Sequence, residues 1–159
     1  MTPRIFRTLL VALIFTVLCV PAAQAKSAKH VVAVFYFETE GGARSYLGPV
    51  VANYMMTALA YIGKYKVVDP EKVAKVMEGS GIEEGETLPT ADAVAMAKKL
   101  GAVVACRGKV TKAKSGDKYT VTVDFISTAT GGVISSTSAN ATGEANLSKA
   151  VDRIVGLTK

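Results

Sequence analysis

The sequence predicts an α/β fold of the α+β kind, with helices packed mainly on one face of a single mixed sheet of about five strands. Three observations support this prediction. The continuous apolar run His30–Phe37 is typical of a strand covered on both faces. Leu47–Ile62 carries a broad apolar stripe with helical period. Apolar and polar residues alternate over Lys118–Thr128, as in a strand with one solvated face.

The helix predicted over Leu47–Ile62 has apolar residues three and four positions apart throughout its length. Ser45 is predicted as its N-cap, because a serine hydroxyl can accept a hydrogen bond from the first turn. Pro49 falls in that first turn, where a missing N–H costs little. Gly63 is predicted to close the helix in the left-handed conformation.

Turn and capping residues divide the rest of the chain into the order β-α-β-α-α-β-β-β-α. Asp69 is a predicted N-cap followed by Pro70 at the first helical position, and Gly101 ends a later helix. Residues 115–117 and 130–132 are predicted turns. The remaining predicted elements are strand 65–68, helix 71–78, surface loop 79–88, helix 89–101, strands 102–112, 118–128 and 133–142, and closing helix 147–157.

Residues 1–25 have the pattern of a secretory signal peptide. A cationic start precedes the apolar run Thr8–Val20, and Ala23-Gln24-Ala25 is a typical cleavage motif. The apolar run is shorter than the roughly 20 residues that span a bilayer, although an uncleaved amino-terminal anchor is the alternative. We therefore expect residues 26–159 to form one α/β domain that is exported to the periplasm, without a transmembrane span in the mature chain.

The composition argues against two classes of protein. The net charge is +6, and it falls to +4 when Arg4 and Arg7 leave with the signal peptide. No run of five or six basic residues is present, so a nucleic-acid partner is not expected. Cys19 follows Leu18 rather than the small residue that precedes an acylated cysteine, so an acyl-anchored lipoprotein is not expected.

Cys106 is predicted to be a buried strand residue, with a reactive thiol as the alternative.

The sequence predicts no catalytic residue, cofactor site or metal site. His30 begins a strand without a neighbouring carboxylate, which makes it a poor candidate for a catalytic triad. The acidic run Glu83–Glu86 lacks the spacing of a calcium loop and is predicted to be a solvated loop. Gly41 and Gly42 precede a helix, but the lysine and hydroxyl residues of a phosphate loop are missing, so a turn is predicted.

Five polar residues are predicted to bind a partner. Arg107 and Lys109 share one face of their strand, opposite its apolar residues. Thr120, Thr122 and Asp124 are expected on the solvated face of the strand that follows. A flat polar face of this kind can receive another protein, and an edge strand can pair with another chain. An ordinary solvated sheet surface is the alternative interpretation.

Several stretches resemble a group of bacterial envelope domains and together cover nearly all of residues 30–143. The stretches are Val31–Phe37, Leu47–Asp69, Leu100–Val110, Tyr119–Phe125 and Thr130–Ile134. The group includes the TolB amino-terminal region, the periplasmic part of the CsgG-like curli secretion channel, the flagellar protein FlgO and the LpoB-type activators of penicillin-binding proteins. These stretches are hydrophobic and glycine patterns, which indicate a fold more strongly than a function.

The resemblance implies a non-enzymatic periplasmic module that docks onto other envelope proteins, some of them associated with the outer membrane. Channel-forming relatives insert long transmembrane hairpins, for which the 134 residues of the exported chain leave no room. We expect a domain that helps assemble or regulate an outer-membrane, secretion, flagellar or peptidoglycan complex. Two alternatives remain: a subunit that self-assembles into a ring or filament, and a periplasmic hydrolase that uses scattered carboxylates.

Overall fold

The computed structural model describes residues 29–157, so the predicted signal peptide over residues 1–25 lies outside the described part and stays a prediction. The described residues form six strands, four helices and one 3₁₀ turn. These elements are β1 His30–Val34, β2 Glu38–Glu40, α1 Leu47–Ile62, β3 Tyr65–Val67, α2 Pro70–Glu78, α3 Thr90–Lys99, β4 Val104–Lys112, β5 Lys118–Ser127, β6 Val133–Thr142, the 3₁₀ turn Glu144–Asn146 and α4 Leu147–Leu157.

The strands form one mixed sheet in the order β3-β1-β4-β5-β6, with β2 also paired to β4. β1 runs parallel to β3 and to β4, whereas β4, β5 and β6 form an antiparallel meander. The α+β class, the mixed sheet and the predicted order of its main elements are confirmed. The sixth strand is β2, which the sequence analysis did not predict as a strand.

The strand predicted over His30–Phe37 is wrong at its end, because β1 stops at Val34 and the chain resumes as β2. Val34 is paired with Cys106, and Glu38 is paired with Lys109. Between these two pairs the chain has three residues, whereas β4 has only two. The chain therefore forms a bulge of one residue here. The extra residue reverses the alternation, so Phe37 faces the same core as Val34.

The helices cover both faces of the sheet, so the prediction that they lie mainly on one face is wrong. α1 and α4 pack on the face that carries Val34 and Cys106. α2 and α3 pack on the opposite face, against Phe35 and Ala105. Parallel crossovers are almost always right-handed. The crossover from β1 to β3 and the return from β3 to β4 run in opposite directions across the sheet, so their helices lie on opposite faces.

The helix ends follow local backbone chemistry. The N-cap of α1 is Tyr46 and not the predicted Ser45, and no side chain caps this end. Instead, the N–H groups of Leu47 and Gly48 donate to carbonyls of the preceding turn. Gly63 closes α1 with a φ of 72°, as predicted, and Asp69 caps α2 by accepting a 2.9 Å hydrogen bond from an N–H of the first turn. No described helix is both long and apolar enough to cross a lipid bilayer.

Candidate functional site

The candidate site is an uncovered part of the sheet that we call the polar face. On this side, α2 and α3 cover β1, β3, the start of β4 and the end of β5, while β2, β6 and the rest of β4 and β5 lie open to solvent. The polar face consists of Glu38, Glu40, Arg107, Lys109, Thr111, Thr120, Thr122, Asp124, Ser136, Ser138 and Asn140.

The strand register aligns these side chains in rows across the sheet. Arg107 lies opposite Asp124, which in turn lies opposite Ser136. The two following rows are Lys109–Thr122–Ser138 and Thr111–Thr120–Asn140. The structure thus brings all five residues that were predicted to bind a partner onto one face. Their role in binding remains a prediction.

Arg107 is held in place from two sides. Its Nη1 donates a 2.7 Å hydrogen bond to the carbonyl oxygen of Leu88, in the loop before α3. Its Nη2 lies 3.6 Å from Oδ2 of Asp124, whose Oδ1 accepts a 2.6 Å hydrogen bond from Ser136. Only 26% of the Arg107 side chain is exposed. The guanidinium is therefore oriented before any partner arrives, which lowers the entropy cost of binding.

Two carboxylates that the sequence analysis did not single out complete the polar face. Oε1 of Glu40 lies 3.2 Å from Nζ of Lys109, and its Oε2 accepts a hydrogen bond from Thr111. Glu38 accepts a 2.6 Å hydrogen bond from the hydroxyl of Thr87. The alternation of Glu38, Thr39 and Glu40 indicates a strand with both glutamates on one face. Which face of the sheet that is depends on the preceding bulge.

A shallow depression of about 190 Å³ lies in the polar face, beside the loop that carries Thr87. Arg107, Lys109, Thr122 and Glu38 are among the residues that line it. Binding sites for drug-sized ligands measure roughly 300–1,000 Å³, so this depression is suited to a single polar side chain. In the described part of the chain, no three His, Cys, Asp or Glu residues are grouped so as to hold a metal ion.

Neither Cys106 nor His30 takes part in the polar face. Cys106 is completely buried, as predicted, and burial raises the pKa of its thiol far above the usual range, with a smaller contribution from the charge of Asp124. A thiol held in its neutral form is a poor nucleophile. His30 lies exposed at the start of β1, at the far end of the sheet.

Replacing Glu40 by Gln is expected to make the protein less sensitive to acid. The hydrogen bond from Lys109 lowers the pKa of the Glu40 carboxyl below its ordinary value of 4.5, although partial desolvation acts in the other direction. A lowered pKa means that the carboxylate stabilises the fold above pH 4.5 and that this contribution disappears as the pH falls through the folded-state pKa.

Urea unfolding at pH values from 7 down to 3 measures this effect. The difference in unfolding free energy between the wild type and Glu40→Gln should be largest near pH 7 and should shrink below pH 4.5. Glu78→Gln, at the exposed end of α2, removes the same charge outside the polar face and serves as the control. A constant difference for Glu40→Gln across this range would contradict the ion pair with Lys109.

Comparisons with known proteins find similar structures but no similar sequences. No family model matches the sequence, and no curated protein matches it. Among solved structures, the LpoB C-terminal domain from Escherichia coli aligns with a TM-score of 0.58 and 18% identity, covering 75% of this chain and 87% of that one. A PelC dodecamer from Paraburkholderia phytofirmans aligns with a TM-score of 0.56 and 16% identity, covering 80% and 84%.

A third similar structure is the lipoprotein GNA1162 from Neisseria meningitidis, with a TM-score of 0.54 and 12% identity over 81% of this chain and 97% of that one. These structural alignments show a common fold. Sequence identities this low leave function open. They support the LpoB part of the resemblance seen in the sequence, whereas the resemblance to TolB and to the curli channel stays a prediction. The chain therefore shares the fold of the LpoB C-terminal domain.

Proposed function

We propose that this chain is an exported, non-enzymatic interaction domain that helps assemble or regulate a protein complex of the bacterial cell envelope. The observation that carries the proposal is the polar face, where side chains from four strands and one loop form a single oriented surface. The LpoB-type fold supports it, because that resemblance implies docking onto other envelope proteins.

The chemistry of the polar face suits a folded protein partner. Cations and carboxylates alternate on it: Arg107 is paired with Asp124, and Lys109 with Glu40. A partner that presents complementary charges can align with this fixed pattern, and such complementarity sets specificity more than affinity. Arginine is enriched among the hot spots of protein interfaces, and Arg107 is already held in place, so it is the residue that we expect to contribute most.

The proposed location rests on the amino-terminal sequence and on the neighbours in structure. The signal-peptide pattern over residues 1–25 predicts export. One neighbour is itself described as a lipoprotein, which agrees with an envelope setting. We place the mature domain in the periplasm, with its partners among the proteins of the outer membrane or of the peptidoglycan or polysaccharide machinery.

A second candidate function is self-assembly, which the dodecameric PelC structure favours. β6 is a ten-residue edge strand without charge or proline, and such edges can pair with another chain. Arg153 and Asn146 donate hydrogen bonds to the carbonyls of Asn140 and Thr142, which protects the last residues of the edge. The segment Val133–Ser138 would then form the contact. Light scattering that shows a monomer at every concentration would exclude it.

Photo-crosslinking in living cells tests the main proposal. A benzophenone amino acid at Thr122, in the middle of the polar face, is expected to give one or a few discrete adducts with envelope proteins. The same probe at Lys72, exposed on α2, is the matched control and should give none of them. Adding Arg107→Ala to the Thr122 probe should reduce the yield about tenfold or more, since loss of a hot-spot side chain costs roughly 2 kcal/mol.

Two results would contradict the proposal. The first is the absence of any adduct at Thr122 while the chain is exported and folded, and the second is the same set of adducts at Thr122 and at Lys72. Adducts of the chain with itself alone would favour the self-assembly candidate instead. Arg107→Lys separates charge from geometry, because lysine keeps the positive charge but lacks the planar fork that contacts both Leu88 and Asp124.

A further inference from the structure

We propose that the end of the sheet opposite the Gly41-Gly42 turn binds anionic phospholipid bilayers. We call this end the basal surface. It is the end at which the parallel strands β1, β3 and β4 begin and at which α1 and α3 finish. Its residues are Lys29, His30, Lys64, Tyr65, Lys66, Lys98, Lys99, Val103, Val133 and Ile134. It is separate from the polar face, so this proposal does not depend on the proposed function.

The centre of the basal surface is apolar and exposed. Val103, Val133 and Ile134 are exposed by 48%, 55% and 60%. Val103 and Ile134 line one groove of about 490 Å³, together with His30 and Phe125. Aliphatic side chains that lie this open in neighbouring segments, rather than singly, mark a surface that contacts something apolar.

The rim of the basal surface is basic. Lys64 follows the end of α1, Lys66 lies on β3, and Lys98 and Lys99 form the last turn of α3. All four are exposed, and none forms an ion pair with a described acidic residue. Residues 29–31, 61–66, 98–104 and 127–135, which meet at this end, contain no Asp or Glu. α4 also ends on this side, and its Asp152 lines a separate groove with Tyr61 and Ile62.

The opposite end of the sheet has a different composition. There Glu40, Asp117 and Glu144 are mixed with Arg44 and Lys112 at the ends of strands and in the segments that follow them. The carboxylate of Glu144 accepts hydrogen bonds from Tyr46 and Tyr119 within the fold. The lysine rim of the basal surface therefore contrasts with the mixed charges of the opposite end.

An apolar centre with a lysine rim complements an anionic lipid surface. The aliphatic side chains can enter the boundary between headgroups and acyl chains, while lysines extend their long stems and keep their ammonium groups at the phosphates. Each lysine near such a surface strengthens binding by about fivefold.

A single tryptophan tests the proposal, because the chain contains none. Ile134→Trp places a fluorophore in the centre of the basal surface. With vesicles of phosphatidylglycerol and phosphatidylcholine, its emission should shift to the blue and should be quenched by brominated acyl chains. Vesicles of phosphatidylcholine alone should give a much smaller shift. Lys114→Trp, in the turn at the opposite end, should respond to neither.

Paired charge reversals provide the second arm. Lys64→Glu with Lys98→Glu should weaken binding to the anionic vesicles by about 25-fold or more, because two lysines are lost at about fivefold each. Lys114→Glu with Lys118→Glu makes the same change in net charge at the other end and should have little effect.

Three results would overturn the proposal. The first is an Ile134→Trp emission spectrum that does not change with anionic vesicles. This holds even if the protein binds the vesicles through its amino-terminal segment. The second is equal weakening by both pairs of charge reversals, which would indicate attraction by net charge only. The third is a blue shift that grows with protein concentration without lipid, which would assign the basal surface to a second copy of the chain.

Discussion

Replacing Phe37 by Ala is expected to lower the free energy of unfolding by about 3–5 kcal/mol, because it removes an aromatic ring from the core. Phe37 is completely buried on the face that α1 and α4 cover. A Cβ placed on Gly108 would lie only 2.7 Å from its ring, and its backbone lies against Gly48. Gly108 therefore leaves the space that the ring fills, and Gly48 leaves the space for the Phe37 backbone.

Chemical unfolding in urea, followed by circular dichroism, measures this loss. Tyr61→Ala is the matched control, because it also removes an aromatic ring, but one that is 93% exposed. Its effect should stay within about 0.5 kcal/mol. A loss below about 1 kcal/mol for Phe37→Ala would show that the ring is not packed in the core as described.

The effect of Phe37→Ala should extend to the polar face. Phe37 directly precedes Glu38 and lies in the bulge that determines which way β2 faces. Loss of its packing should loosen β2, and with it the ion pair of Glu40 with Lys109. We therefore expect the crosslinking yield at Thr122 to fall as well, even under conditions in which the variant remains folded.

Local patterns predicted most of the fold correctly. The bounds of α1 and of β6 agree with the sequence prediction, because apolar periodicity and the turn glycines that flank these elements are both read from neighbouring residues. Thr122 and Asp124 were placed on one face by the same reasoning, since alternation within a strand is a local property. The register of β4 with β5 then brings Arg107 beside Asp124.

Features that depend on distant pairing were missed. Glu38 and Glu40 reach the polar face because an extra residue before them reverses the alternation, and only the pairing with Lys109, some seventy positions later, reveals this phase. Ser45 was predicted as a cap from residue type alone. The backbone carbonyls of its own turn already accept the N–H groups that a cap would satisfy.

The distribution of the helices also depends on long-range order. The amphipathic patterns of α2 and α3 show that each helix has a buried side, but they do not show which face of the sheet it covers. That choice follows from the position of β1 between β3 and β4, together with right-handed crossovers. As a result, α2 and α3 cover one half of this face of the sheet, and the other half stays open as the polar face.

Replacing Gly48 by Ala is expected to destabilise the protein by about 1–3 kcal/mol, although alanine is the better helix former. Gly48 is buried in the first turn of α1, and a Cβ there would overlap the backbone carbonyl oxygen of Phe37. Alanine gains up to about 1 kcal/mol of helix propensity over glycine. Overpacking against a rigid backbone costs about 1–3 kcal/mol and the displaced helix loses further contacts, so the steric cost prevails.

The same substitution at Gly156 should have the opposite sign, which makes it an internal control. Gly156 lies in the last turn of α4, and a Cβ built there meets no atom within 4 Å. Gly156→Ala should therefore stabilise the fold by a few tenths of a kcal/mol, up to about 1 kcal/mol, as helix propensity alone dictates. If thermal unfolding showed equal shifts for both variants, the close approach of α1 to Phe37 would be wrong. Opposite shifts would show that this contact, more than helix propensity, determines where α1 begins on the sheet.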